Sequence, residues 1–329
     1  MQVLNYGEYE MYDVTALGEL LIDFAPVGVD EDGYPTLAAK AGGAPPNLLA
    51  ALAAYGAKTA MICKVGTDAF GKMLINTLEK AGIETIGVVE DDSFFTTLAF
   101  VTLDETGDRS FSFARKPGAD TCLRFEEINL TLIENAKIFH HGTLSLTSEP
   151  VRTATQKAVA YAKNAGKLIT FDPNLRASLW DSLDEAKEQI LWGLKNADIV
   201  KISDEEVDFL WSCGPHEGAK LLIEDFDVKL AMVTLGPDGA YLQNEKTSAH
   251  AGCPAVKPID TTGAGDIFGG SAISRLLKIG KAPEDLNEDE LYQIASYATT
   301  AASLSTQKLG GIPSVPSEDE VLEYIKQLS

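Results

Sequence analysis

From about residue 14 onward the sequence alternates short apolar runs with longer stretches whose apolar residues recur at helical spacing. No other feature limits the possible folds as strongly. Strand-like runs lie at residues 14–18 continuing into 20–24, then at 59–66, 136–140, 167–172, 199–202 and 229–234. Between them, Pro45-Pro46 opens a helical stretch with Leu48, Leu49 and Leu52 on one stripe, and Phe70, Met73, Leu74, Thr77, Leu78 and Ala81 form another. Further helical segments cover about residues 149–165 and 183–195. Gly56 and Gly82 supply stop signals, and Ser203-Asp204-Glu205-Glu206 a capping box. Such alternation predicts a three-layer α/β/α sandwich with a mostly parallel central sheet, because parallel neighbours need a crossover long enough to hold a helix.

The rhythm breaks at residues 93–113. Residues 94–103 and 110–114 read as two strands joined by Asp104-Glu105-Thr106-Gly107-Asp108-Arg109, too short for a helix, so they predict an antiparallel hairpin. Residues 26–39, with the turn signal Asp30-Glu31-Asp32-Gly33, add to it. The expected organisation is an α/β core of residues 1–25, 40–92 and 114–329, with a small β-sheet lid from 26–39 and 93–113. A plain sheet-edge hairpin is the alternative. The apolar run Leu98-Ala99-Phe100-Val101 invites pairing with another chain, so a homodimer through the lid is expected. Residues 1–11 are polar and unpatterned, a frayed extension.

With a formal charge of −22 over 329 residues, the chain is ill suited to nucleic acid or an anionic membrane surface, both of which reward basic patches. Cys63, Cys122, Cys213 and Cys253 are scattered with no C-x-x-C pair, which reads as reduced thiols of a cytoplasmic protein. The histidines show no metal-ligand spacing. Glu8, Glu10 and Asp13 speak against a signal peptide, and the uncharged run 41–57 contains prolines and glycines that exclude a membrane span.

The chemistry concentrates at Asp260-Thr261-Thr262-Gly263-Ala264-Gly265-Asp266, which opens an apolar helical run from Ile267. Glycines lacking a Cβ let backbone N–H groups approach an anion, and a helix start adds its positive dipole end. A carboxylate fixed beside such a cradle suits phosphoryl transfer, where positioning and charge stabilisation dominate. Helix capping alone explains the same residue types. A dinucleotide site is the other reading of Gly263-x-Gly265, but the segment that follows is polar and loop-like, where a second strand ending in an acid is needed. Asp23 closes the first strand run, at the end where open α/β sheets bind ligands. An aspartate in water has a pKa of about 3.9, and a helix start lowers it, so Asp266 is expected to be a weak, fully ionised base.

The order Gly42-Gly43-Ala44-Pro45-Pro46-Asn47, then Val65-Gly66-x-Asp68-x-x-Gly71, then Asp260 to Asp266 resembles the ribokinase/PfkB carbohydrate kinase family across residues 13–316. Its fructokinase branch is most similar, through Gly18-Glu19-Leu20-Leu21-Ile22-Asp23-Phe24, Phe171-Asp172-Pro173-Asn174-Leu175-Arg176 and Val200-Lys201-Ile202-Ser203-Asp204-Glu205-Glu206. The resemblance implies a ribokinase-like fold and an ATP-dependent sugar kinase that converts fructose to fructose 6-phosphate. In that scheme Asp266 is the base, and the N–H groups of Gly263, Ala264 and Gly265 form the anion hole. Asp23, Gly42, Gly43 and Asn47 hold the sugar, Phe100 and Phe113 cover it, and Arg176 approaches the phosphoryl group or the far end of the substrate. Lys201, Ser203, Glu206, Thr234, Gly236 and Gly239 face the nucleotide, with Glu206 reaching Mg2+ through water. Asp260, Thr262, Ser305, Gly310 and Ser314 match positions that bind K+ in some members. Two departures stand out: Ser203 replaces the family's asparagine, and Pro46 a small residue. A 2-keto-3-deoxygluconate kinase or ribokinase would share the catalytic set; a sugar acid needs an added cation, for which Arg109, Arg115 and Lys116 are candidates. A non-catalytic sugar-binding regulatory member is the alternative of another class.

Overall fold

The computed structural model describes residues 11–103 and 109–328. The polar extension before them and the hairpin tip at residues 104–108 lie outside the described residues. The chain runs β1 (Tyr12–Leu17), β2 (Leu21–Val29), β3 (Pro35–Gly42), α1 (Ala44–Ala54), β4 (Thr59–Gly66), α2 (Ala69–Lys80), β5 (Ile83–Asp91), β6 (Leu98–Leu103) and β7 (Arg109–Ala114). It continues through α3 (Thr131–Glu134), β8 (Ala136–Gly142), α4 (Val151–Asn164), β9 (Leu168–Asp172), α5 (Leu183–Leu194), β10 (Ile199–Ser203), α6 (Asp204–Trp211) and α7 (Pro215–Phe226). Then come β11 (Leu230–Thr234), β12 (Ala240–Gln243), β13 (Ser248–Ala251), α8 (Ala264–Ile279), α9 (Glu288–Ser305) and α10 (Glu318–Leu328).

The larger sheet has the order β13-β12-β11-β10-β9-β8-β1-β4-β5. Its pairings are parallel from β5 to β11 and antiparallel only at the β11–β12–β13 edge. Alternate side chains serve opposite faces. In β4, Met61, Cys63 and Val65 pack with Leu48, Leu49 and Leu52 of α1 and Leu74 and Leu78 of α2, whereas Ala60 and Ile62 pack with Ala154, Ala158 and Val159 of α4. In β11, Met232 faces α8 and α9, while Ala231 and Val233 face α6 and α7. This is the expected three-layer sandwich. The motif Val65-Gly66-x-Asp68-x-x-Gly71 is a packing device within it. Asp68 caps α2 by accepting from the N–H groups of Phe70 and Gly71, and it also accepts from Thr96 N–H. A Cβ on Gly71 would sit 1.9 Å from the Gly66 carbonyl oxygen.

One strand reading is corrected. Residues 20–24 do not extend the first core strand: β1 pairs with its neighbours only through Leu17, after which the chain leaves the sheet. Gly18 lies against Pro45, where a Cβ would approach Cγ to 2.6 Å, and Glu19 Oε1 accepts the Ala44 N–H at 2.8 Å. The chain then enters a second sheet of order β3-β2-β6-β7, so the expected boundaries near residues 25 and 40 fall inside β2 and β3. The expected hairpin is present as antiparallel β6–β7, with β6 also parallel to β2. Because β2 and β7 flank it, β6 is no exposed edge; Ala99 and Val101 are buried. Among the described residues, the large apolar side chains exposed on β2, β3 and their connecting turn are Val27, Val29, Tyr34 and Leu37. Among the described residues, no helix is long and apolar enough to cross a membrane.

Candidate active site

Two cavities open beyond the carboxyl ends of the central parallel strands, and they meet at the turn into α8. One, of about 370 Å³, is lined by Glu19, Asp23, Gly43, Asn47, Phe113, Asn174, Arg176, Lys201, Gly263, Gly265 and Asp266. The other, about 580 Å³ and largely apolar, is lined by Thr234, Gly236, Gly239, the segment 253–256, Pro258, Phe268 and small residues of α9. Thr261 and Gly265 belong to both. Gly263 caps α8 with φ 78°, a conformation a side chain strains.

Asp266 lies in the first turn of α8, and its Oδ2 accepts from Asn47 Nδ2 at 2.9 Å. Its pKa corrects the expectation of a fully ionised base. Loss of water around the carboxyl, reinforced by the Asp172 charge, pushes it up to about 7 against the opposing pull of Asn47, Lys201 and Arg176. Desolvation here outweighs the helix start. Burial likewise raises Asp23 to about 6, with Arg176 lowering and Asp260 raising it, and raises Glu19 to about 7 against the Ala44 N–H.

On the first cavity's wall, Lys201 Nζ donates to Asp172 Oδ2 at 3.1 Å and to Oδ1 at 3.3 Å. Burial opposes the lysine's charge, but Asp172, Glu206 and Asp266 raise its pKa overall, so it stays an ammonium. Arg176 Nη1 donates to the Leu175 carbonyl at 3.2 Å. Gly42 gives Asp23 its place, since a Cβ there would meet Asp23 Oδ2 at 2.0 Å. Among the described residues Asn47 Oδ1 has no hydrogen-bond partner; it is buried and packs on Gly311, whose Cβ would lie 2.1 Å from it.

The expected residues divide between places. Asp23, Gly43, Asn47, Phe113, Arg176, Gly263, Gly265 and Asp266 converge on the first cavity, and Thr234, Gly236, Gly239, Ala264 and Gly265 on the second. Ala264 N–H donates to the Thr261 carbonyl at 3.3 Å and so is partly engaged within the turn. Lys201 lies on the first cavity, not on the expected nucleotide side. Phe100 stacks on Phe24, ring centres 5.1 Å apart, and lines neither cavity. Ser203 and Glu206 form the expected capping box, and Glu206 Oε1 also accepts from Leu175 N–H at 2.7 Å. Asp260 Oδ1 and Oδ2 accept from the N–H groups of Thr262 and Gly310, each at 2.9 Å. Ser305 and Ser314 hydroxyls donate to the carbonyls of Ala302 and Gly311. Glu19 carries no role on sequence grounds. A carboxylate inside the apolar run 16–22 is its only signal, since an unpaired charge is rarely buried.

A glycine-lined helix start joining two clefts, with a desolvated carboxylate, an ammonium and a guanidinium around it, is the equipment of a sugar kinase with the ribokinase-like fold. The chain belongs to the pfkB family of carbohydrate kinases, whose family model matches residues 11–318. Among curated relatives, fructokinase-1 of Zea mays is 41% identical over 320 residues, covering 95% of this chain and 98% of its own. Fructokinase-2 of Solanum lycopersicum is 39% identical over 316 residues, covering 95% and 96%. The crystal structure of a Xylella fastidiosa fructokinase with bound ATP superposes with a TM-score of 0.88 at 28% identity, covering 96% of this chain and 98% of that one. A Vibrio cholerae fructokinase bound to fructose, ADP and calcium gives 0.84 at 31% identity, covering 95% and 99%.

Proposed function

We propose that the chain transfers the γ-phosphoryl group of ATP to D-fructose, giving fructose 6-phosphate. One observation carries the reading: Asp266 lies where a polar cavity of sugar size meets a larger apolar one, beside Gly265, which both share. The apolar cavity suits an adenine and ribose, and the polar one a hydroxyl-rich acceptor. Asp23, Asn47 and the Gly43 turn orient the sugar. Asp266, poised near pH 7, takes the hydroxyl proton as the oxygen attacks phosphorus. The N–H groups of Gly263 and Gly265 and the cations face the charge that develops. The small sheet, with Phe113 on the sugar cavity, is the lid that excludes water.

Among the described residues no three His, Cys, Asp or Glu side chains gather as a metal site. Both oxygens of Glu206 accept backbone N–H groups. A magnesium ion would come with the nucleotide phosphates, with Glu206 as the residue that would hold it through water, and it would supply charge neutralisation of the phosphates. Asp260, Thr262 and Gly310, held together by Asp260, are the core of the proposed K+ site, with Ser305 and Ser314 beside it. A homodimer through the small sheet would cover Val27, Val29 and Tyr34. The free cysteines fit a cytoplasmic protein.

Of the cations weighed for a sugar acid, Arg115 is taken up by its own hydrogen bonds. Its guanidinium is committed to Asp120, the Thr147 hydroxyl and the Leu144 carbonyl, so it is not available to a substrate carboxylate. A panel of fructose, ribose and 2-keto-3-deoxygluconate with ATP, read as ADP release, tests the reading. Fructose is expected to give the highest kcat/KM; a tenfold preference for either competitor overturns the assignment, and no turnover with any of them removes the kinase reading.

A further inference from the structure

A third cavity, of about 410 Å³, adjoins the sugar cavity through Phe113, which lines both. One wall belongs to the small sheet, with Ser112 and Phe113 on β7 and Lys116 just after it; the other is the core segment Ser178, Trp180 and Asp181 that leads into α5. Much of this wall is chemically unengaged. The Lys116 ammonium, the Asp181 carboxylate and the hydroxyls of Ser112 and Ser178 are exposed, and among the described residues they make no hydrogen bond or ion pair. Deeper in the wall, Trp180 is only 8% exposed. Its Nε1 and the Oγ of Ser148, also on this cavity, are buried with no hydrogen-bond partner among the described residues. Buried polar groups left unpaired cost stability, so two beside one polar cavity point to a ligand that completes them directly or through water. Arg115, by contrast, is fully engaged with Asp120, Thr147 and Leu144.

The charges decide the class of ligand. Lys116 and Asp181 are opposite in sign, so an anion entering the cavity meets the carboxylate and a cation meets the ammonium. A neutral molecule with several hydroxyls satisfies both, because a hydroxyl can donate to Asp181 or accept from Lys116. Phe113, Leu179 and Trp180 add apolar surface for the C–H face of a sugar ring. The volume is close to the 370 Å³ of the acceptor cavity, room for one molecule of the same size. We infer that this cavity binds a second neutral sugar of hexose size, separate from the acceptor. The choice of a hexose rests on the kinase reading above; the cavity and its unengaged groups do not. No bond is made or broken there. The bound sugar ties β7 of the small sheet to the core segment before α5, one side chain away from the acceptor.

The test is equilibrium dialysis of the full chain against labelled fructose, with a non-hydrolysable ATP analogue present, for wild type, Asp181→Ala and Ser178→Val. The expected result is two fructose molecules per wild-type chain, the second held about tenfold or more weakly, and one per chain in each variant. Turnover at low fructose, where only the acceptor cavity fills, is expected to keep kcat/KM within about threefold of wild type in both variants. Amide exchange in β7 is expected to slow further as the second molecule binds. One fructose per wild-type chain overturns the proposal and makes the cavity a solvent-filled crevice. Two per chain in both variants overturns it as well, since the second site then lies elsewhere. So does displacement of the second fructose by equimolar inorganic phosphate, the mark of an anion site, and so does loss of low-fructose turnover in both variants, which joins the cavity to the acceptor site. Both substituted positions are exposed; a variant that does not fold is replaced by Ser112→Ala, read in the same way. A wild-type chain that binds two fructose molecules and phosphorylates neither condemns the kinase reading and keeps the second site. Turnover with a single molecule bound condemns the second site alone.

Discussion

At Asp266 two influences oppose each other. A helix start favours the ionised carboxylate, and an enclosed pocket shared with Asp172 disfavours it. Here the pocket prevails, placing the pKa at about 7. As the proposed base, Asp266 accepts a proton only when ionised, so kcat/KM is expected to rise with pH through about 7 and then level. A profile flat from pH 5 to 8 contradicts this. Asn47 donates to Asp266 and thereby lowers its pKa, so Asn47→Ala is expected to move the rising limb to higher pH and to weaken sugar binding. An unmoved limb would show that the contact does not tune the base. That Asp266 stands beside glycines at a helix start was legible in the sequence. Its pKa was not, because the enclosing groups Asp172, Lys201 and Arg176 come from residues 65 to 94 positions away.

The elements that hold this residue depend on close backbone approach. The loop at Gly310-Gly311 packs on Asn47 and on Gly263, with 2.9 Å from a Gly263 Cβ to the Gly311 Cα. A methyl group at Gly311 would displace the Asn47 amide and, through it, Asp266. Gly311→Ala is expected to lower kcat/KM by about tenfold or more while a thermal melt changes little; normal kinetics would mean the loop yields without consequence. For the small sheet, proposed as the lid, deletion of residues 104–108 is expected to raise the sugar KM and add ATP hydrolysis through admission of water. Unchanged kinetics favour a plain edge hairpin. The core strands were legible from their apolar runs, except at the bend after Leu17. There the apolar residues resume after Gly18 and Glu19 and run to Phe24 with one break at Asp23, while Gly18 packs on Pro45 and Glu19 bonds Ala44 where the chain leaves the sheet. Strands β5, β12 and β13 were missed because half-buried, mixed-polarity strands at or next to the sheet edges carry little periodic signal.

Across the whole molecule, the site is assembled at the expense of stability. Glu19, Asp23 and Asp266 hold protons more tightly folded than unfolded, with pKa values raised from 4.5 or 3.8 to about 7, 6 and 7. Between about pH 4 and 7 these three groups bind more protons folded than unfolded, and their contribution to stability falls as pH rises through that window, whereas buried His140 and His141, lowered to about 3, act in the opposite direction. Asp266→Asn removes one such ionisation. Without ligands, its Tm is expected to exceed that of wild type at pH 8 by a few degrees and to match it near pH 4; an equal Tm at both pH values contradicts the raised pKa. The same variant gives the most direct test of phosphoryl transfer at the junction of the two cavities: titration calorimetry with fructose and an ATP analogue, paired with ADP release at saturating fructose and ATP. The expected result is binding within a few-fold of wild type and turnover lowered by about 100- to 10,000-fold; near-normal turnover would contradict Asp266 as the base and the site built around it.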